Sequence, residues 1–387
     1  MKAKSFKGNS TGEIQSALIK SLADGFKPTI AFVFISIKQD RKAVCQMLHK
    51  EGIDIIGATS SGEFIDGYED KGSAVILLLD LPREAYTILF TAIQDRTIND
   101  AATQIAQSAL QKFQYPAFII CSTGLSAAVE FFDGTALVRS IENVVGPQVN
   151  IYGGMAGDDG SFTGTYVFTN GQESDKAIAA LVLDETKISM QGMAISGWQP
   201  IGVYRTVTKS EGTMIYTIDD QPAAEMYLRF LGKEVTGGGD KYKMFQEVGI
   251  HYPLQMEREM GEPVMRTPVS INKEENSLQT DLEMPTGCRF KFSLPPDFDI
   301  VEKVIEDANK LKEITCFEPE ALLIFSCAGR LSALGPLANS ENEGISDVWK
   351  VPMAGFYTYG EYGRAINGKQ EFHSTTCCWV ALKEKQI

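Results

Sequence analysis

The run Phe32-Val33-Phe34-Ile35-Ser36, followed by Ile53-Asp54-Ile55-Ile56-Gly57 and closed by Gly62-Glu63, spells a buried strand, a helical stretch and a second strand that breaks into a glycine turn beside an acid. The same order returns twice. Phe118-Ile119-Ile120-Cys121-Ser122 leads to Val149-Asn150-Ile151-Tyr152-Gly153 and Gly157-Asp158. Leu322-Leu323-Ile324-Phe325-Ser326-Cys327 leads to Val351-Pro352-Met353-Ala354-Gly355 and Gly360-Glu361. The repetition implies internal duplication of a β-α-β-turn unit. Strands apolar on both faces, alternating with helical segments, imply an α/β fold of layered sheets covered on both sides by helices.

Working outward, apolar runs bounded by Gly, Pro and Asp predict strands at 29–37, 53–57, 74–80, 86–92, 117–122 and 149–152, with helices at 40–50, 97–113 and 134–144. Residues 1–28 are polar and read as a lead-in arm. Beyond Thr165, the runs Ala177 to Leu183 and Ile188 to Ile195, punctuated by Asn170-Gly171 and Asp184-Glu185, read as an antiparallel meander closing the N-terminal half. Gly197-Trp198-Gln199-Pro200-Ile201-Gly202 marks a crossing, so two domains are expected, 29–200 and 201–387. The second half predicts strands at 213–218, 264–271, 277–283 and 289–293, a helix from about Ile300 to Lys312, and a last strand from Phe372 to Leu382. Gly237-Gly238-Gly239-Asp240 reads as a surface turn, because it lacks the Lys and Ser/Thr of a phosphate loop.

A chain of 387 residues exceeds what one core usually supports. Its net charge of −14, spread without long like-charged blocks, repels phosphate backbones, so nucleic acid is not an expected partner. No apolar segment follows the charged N-terminus, and no run approaches the ~20 residues that span a bilayer, so a cytoplasmic protein without membrane insertion is expected. The seven cysteines include no Cys-x-x-Cys pair, which argues for reduced thiols and against a zinc ribbon or covalently held haem.

Several motifs in fixed order resemble the FIST family of bacterial sensory proteins, which have an N-terminal and a C-terminal FIST region. They are Gly57-Ala58-Thr59-Ser60-Ser61-Gly62-Glu63, Tyr152-Gly153-Gly154-Met155-Ala156-Gly157-Asp158, Thr217-Ile218-Asp219-Asp220-Gln221-Pro222-Ala223 leading to Tyr227, and Tyr252-Pro253-Leu254. The strongest are Phe325-Ser326-Cys327-Ala328-Gly329-Arg330, Gly355-Phe356-Tyr357-Thr358-Tyr359-Gly360-Glu361 and His373-Ser374-Thr375-Thr376. The resemblance implies sensing of a small molecule and signalling to a histidine kinase, a cyclic-di-GMP enzyme or a chemoreceptor. The chain shows no such output segment, so a separate partner is implied. Some members of similar length resemble haem-binding nitric-oxide sensors, which makes haem an alternative. Of the three imidazoles, His49 ends a charged helix, His373 belongs to the family signature, and His251 would be the axial ligand.

The candidate site gathers at the strand ends of the third copy, where sheets of this class bind ligands. Arg330 offers a fork to a carboxylate, Glu361 accepts from an ammonium, and His373 with Thr375 or Thr376 completes a polar set beside Tyr359 and Cys327. That set suits an amino acid or similar zwitterion. The competing reading is an internal Arg–Glu ion pair with a hydrogen-bonded histidine that binds nothing. Glu63 and Asp158 sit in the corresponding turns of the other copies, where capping is the plainer role, and Thr59, Ser60 and Ser61 either reach a ligand or satisfy loop backbone. Cys327 with Glu361 and His373 has the residue types of a cysteine nucleophile, but no oxyanion loop accompanies it and its first-copy counterpart is Ser36, so catalysis is not expected.

Overall fold

A computed structural model describes residues 1–128, 130–232 and 244–385. The expected turn at Gly237-Gly238-Gly239-Asp240 lies outside the described residues. Each repeat forms a parallel pair: Ile30–Ser36 with Asp54–Ser60, Pro116–Ser122 with Ile151–Met155, and Ala321–Cys327 with Met353–Thr358. The crossovers are helices Arg41–Lys50, Gly134–Val145 and, in the third copy, Ala328–Leu334 followed by Leu337–Trp349. Asp40 and Asp133 start the first two, each accepting the amide three residues on at 3.0 Å.

Every pair lies at the centre of a six-stranded sheet with the same order: two antiparallel strands beyond the first strand of the pair and a two-stranded hairpin beyond the second. The hairpin always comes from another copy. Glu63–Ile65 and Tyr68–Asp70, after copy one, complete the third sheet. Val167–Thr169 and Glu173–Ser174, after copy two, complete the first, and Glu361–Arg364 and Gln370–His373, after copy three, complete the second. The three sheets therefore exchange hairpins in a cycle.

A glycine inside each repeat's second strand makes the exchange possible. A Cβ on Gly57 would stand 2.3 Å from the Phe168 ring, and one on Gly355 would stand 2.0 Å from the Phe64 ring. Gly153, opposite Tyr362, has φ +142°, and its Cβ would stand 2.0 Å from the Ile120 carbonyl.

The inner faces of all three sheets share one core. At its centre Phe34 lies 4.5 Å from Phe356 and 6.0 Å from Phe325, ring to ring. Helices cover the outer faces, with Leu18 and Val44 on the first sheet, Ile105 and Leu137 on the second, and Val304 and Ile345 on the third. With both faces buried, each large apolar side chain contributes about 1.5–3 kcal/mol, which is why these strands are continuous apolar runs.

Residues 200–293 supply a fourth sheet. Its two ends, Val264–Arg266 and Pro268–Asn272, are separated in the chain by Thr267 alone, so the sheet curls back on itself as an open barrel. Tyr227, from helix Ala223–Phe230, is fully buried in its core. The fold is mixed α/β. Strands from both sides of position 200 share the second and third sheets. Among the described residues no helix is long and apolar enough to cross a membrane.

Three expectations are corrected. Residues 1–28 are not an arm: Ala3–Gly8 pairs with Ala74–Leu79, and helix Thr11–Leu22 buries Ile14 and Leu18. Its start was legible in Ser10 and Glu13, since the Ser10 hydroxyl accepts the Glu13 amide and the Glu13 carboxylate accepts the Asn9 amide. The Asn170-Gly171 hairpin forms, but the meander does not continue: Ala177–Asp184 enters the second sheet and Ile188–Ile195 the third. Ala177–Asp184 is apolar on both faces, whereas Ile188–Ile195 carries Ser189 and Gln191 on one, and the turn in which the Asp184 carbonyl accepts the Lys187 amide hands the chain from one sheet to the next. The last predicted strand is two strands, Gln370–His373 in the second sheet and Cys377–Glu384 in the third.

Candidate functional site

A cleft of about 370 Å³ opens where the third sheet meets the barrel, walled by Ser196, Trp198, Gln255, Lys291, His373 and Thr376 among others. Of the residues expected from sequence, His373 lines it, and so does Thr376. Arg330, Glu361, Cys327, Thr375 and Tyr359 lie outside its lining.

Arg330 begins the crossover after the third copy's first strand and is 0 % exposed. Its Nε donates to Glu341 at 2.9 and 3.1 Å, its Nη2 donates to the same carboxylate, and its Nη1 donates to the carbonyls of Ser196 and of Thr375, the latter at 3.3 Å. Burial opposes the charge and Glu341 outweighs it, holding the guanidinium's pKa above its usual value. The cation also lies 5.1 Å over the Trp198 ring. Arg330 thus fixes the cleft wall from behind. Glu341 escaped the sequence reading; its signal is a carboxylate on the buried stripe Ala338, Glu341, Ile345, Val348 of a helix.

Glu361 accepts from the Thr358 hydroxyl at 2.5 Å, the Thr376 hydroxyl at 2.7 Å and the Thr376 amide at 3.4 Å, and among the described residues it has no ion pair. Burial pushes its carboxyl up to about 8. Burial, and then the charge of Glu361, push the neighbouring Cys327 thiol up far from thiolate formation, the reverse of what a nucleophile requires.

The first copy repeats this arrangement. Glu63 accepts from the Ser60 hydroxyl and, at 3.1 and 3.0 Å, from the Ser73 hydroxyl and amide, and burial pushes it up to about 7. The second copy does not: the hairpin residue paired with its neighbouring sheet is Val167, and Asp158 closes the intervening loop by accepting the amides of Thr163 and Gly164 at 2.6 and 3.1 Å. Tyr359 donates to Asp158 and stacks on Phe162 at 5.6 Å. The Thr59 hydroxyl accepts the Tyr166 amide at 2.9 Å, and the Ser61 hydroxyl is buried beside Tyr359.

His373 is 2 % exposed, its Nε2 meets the Gly363 carbonyl at 3.1 Å, and burial pushes its pKa down to about 4, so the ring is neutral. With Nε2 donating, Nδ1 is left as an acceptor. Thr375 has φ +54°, a left-handed backbone that costs a β-branched residue on the order of 1–3 kcal/mol. Among the charged groups of the cleft, Lys303 pairs with Asp307 at 2.8 Å, Glu257 with Arg289 at 3.2 Å, and Arg258 with Glu371. Among the described residues Lys291 has no carboxylate partner, and it lies 4.5 Å over the Tyr204 ring.

A haem does not fit this cleft. Its walls carry Arg258, Lys291, Lys303 and Asp307, and the Nε2 of His373 is engaged. His251 is half-buried and outside the lining, and its carbonyl accepts the Trp198 indole N–H at 3.3 Å. His49 is exposed. Among the described residues no group of His, Cys, Asp and Glu is arranged to hold a metal.

Comparison with known proteins matches residues 29–221 to the FIST N domain and residues 223–364 to the FIST C domain. An uncharacterized protein of Methanocaldococcus jannaschii, MJ1623, is 25% identical over 295 residues, which cover 72% of this chain. The chain spans about half of that relative's length, 55%.

Proposed function

The chain belongs to the FIST family, whose domains are sensory, and on that premise we propose that it binds a small molecule in the cleft between the third sheet and the barrel. The observation that carries this reading is the set of groups left unsatisfied there. Lys291 offers a cation that has no carboxylate partner among the described residues, and His373 Nδ1 and the Thr376 oxygen offer acceptors after their protons are given to Gly363 and Glu361. A donor-seeking end and an acceptor-seeking end suit an amino acid or similar zwitterion, with its carboxylate at Lys291, its ammonium at His373 and Thr376, and its side chain against Trp198.

Arg330 and Glu361 have their hydrogen-bonding groups engaged inside the protein, so they shape the site from behind. The signal passes to a separate histidine kinase, cyclic-di-GMP enzyme or chemoreceptor. The absence of disulfides among the seven cysteines suits a reducing cytoplasm. Titration calorimetry with the common amino acids tests the reading. At least one binds the wild type, and Lys291→Glu weakens it at least about tenfold by reversing the charge that meets the carboxylate. Equal binding by the variant removes the cleft from the site.

A further inference from the structure

The stretch from Phe372 to Leu382 reads as a single strand, yet the chain changes sheets within it. Gln370–His373 pairs with Glu361–Arg364 in the second sheet, and Cys377–Glu384 pairs with Ala321–Cys327 in the third. The break is made at Thr375, whose φ of +54° is rarely adopted by a β-branched residue. Such a conformation persists only while neighbouring contacts offset its cost.

Here they do. His373 is held by the Gly363 carbonyl at 3.1 Å. The Ser374 hydroxyl donates to the barrel residue Asp281 and meets Thr267 at 3.2 Å. The Thr375 carbonyl accepts from Arg330 at 3.3 Å. The Thr376 hydroxyl donates to Glu361 at 2.7 Å, and its carbonyl accepts the Cys327 amide at 3.0 Å. Consecutive residues thus tie together the second sheet, the third sheet and the barrel. The first and last of them also line the cleft.

We propose that residues 374–376 are a two-state crossover that reads the cleft: latched, with Thr375 left-handed and held by Arg330, Glu361 and Asp281, when ligand is bound, and released toward an extended backbone when it is not. The inference rests on the cleft being the ligand site. A ligand shifts an equilibrium only through unequal affinity for its states. The inequality arises at Thr376, which lines the cleft and whose hydroxyl proton is committed to Glu361, so that its oxygen is left as an acceptor. An ammonium donating to that oxygen is held by the latched state and lost by the released one. Release loosens the barrel from the two sheets together, which is a change that a partner protein can detect.

Hydrogen exchange on the full chain without ligand provides the first test, comparing the wild type with Thr375→Gly and Thr375→Val. Glycine removes the cost of the left-handed backbone, whereas valine keeps it and loses only the hydroxyl. Exchange at the amides of Thr376, Cys377 and Thr267 should slow by roughly 5- to 150-fold in Thr375→Gly and should not slow in Thr375→Val. Wild-type rates in the glycine variant, with its melting temperature preserved, overturn the proposal. A second arm adds the common amino acids to the wild type. One that binds and slows the same amides supports the device, and one that binds without slowing them defeats it while leaving the ligand site intact. If none binds, the ligand reading fails and the first arm alone decides.

Discussion

Glu341, not Glu361, is the carboxylate that pairs with Arg330, and both members of the pair are buried at the centre of the third copy's crossover. The two acids have opposite environments. Glu341 neutralises a cation, while Glu361 is surrounded by hydroxyls and held above its usual pKa.

Breaking the pair strands a buried charge. Arg330→Ala should cost about 3–5 kcal/mol in urea denaturation, and Arg330→Met with Glu341→Leu should cost less than either single change, because no charge is then left unpaired. A loss under about 1 kcal/mol for Arg330→Ala would mean that the pair is solvated.

Glu361 gives stability a pH dependence with a definite sign. Its carboxyl is raised from 4.5 to about 8, so the folded chain keeps a proton that the unfolded chain releases. That contribution is complete below 4.5 and is lost as the pH rises through about 8. Glu63, raised to about 7, acts in the same direction. His373, lowered from 6.5 to about 4, acts in the opposite one: its contribution is present above 6.5 and lost as the pH falls through about 4. Melting temperatures across this range should decline less on the alkaline side for Glu361→Gln than for the wild type. Parallel curves would show that Glu361 is ionised throughout.

The hairpin exchange depends on glycine. Gly355→Ala would set a methyl 2.0 Å from the Phe64 ring and 2.4 Å from the Ile324 carbonyl, and the backbone atom cannot swing away. A loss of about 3 kcal/mol is expected. Gly12→Ala, in the first helix with nothing within 4 Å, should instead stabilise slightly. Comparable effects at the two positions would refute the steric account.

Native alkylation should sort the thiols by burial. Cys316 is exposed and should react first, whereas Cys121, Cys327, Cys377 and Cys378 are buried, with their pKa values pushed up by burial. Mass spectrometry of peptides from the folded, alkylated protein checks the order. Early modification of Cys327 would reopen its reading as a nucleophile.

Much of the fold was legible because strands buried on both faces have no polar alternation to hide them: Ile30–Ser36, Pro116–Ser122 and Ala321–Cys327 are all within a residue or two of expectation. Helix Thr11–Leu22 was missed because only Ile14 and Leu18 of its residues are buried, too short a stripe to stand out in a polar segment. Of the site, His373 was named and lines the cleft, while Lys291 and Trp198 were not, since an isolated lysine and tryptophan in a β-rich stretch have no local pattern that marks them.

The repeat, its turning glycines and its terminal acids are written in short-range order, because burial on two faces and the need for positive φ or close approach act within a few residues of the chain. Which hairpin completes which sheet, which of two chemically alike glutamates meets Arg330, and why Thr375 turns left-handed inside a run that favours extension were decided only when distant segments met. Those choices depend on which groups lie within hydrogen-bond distance once the three sheets and the barrel close around one another, and residue spacing along a chain does not carry that distance.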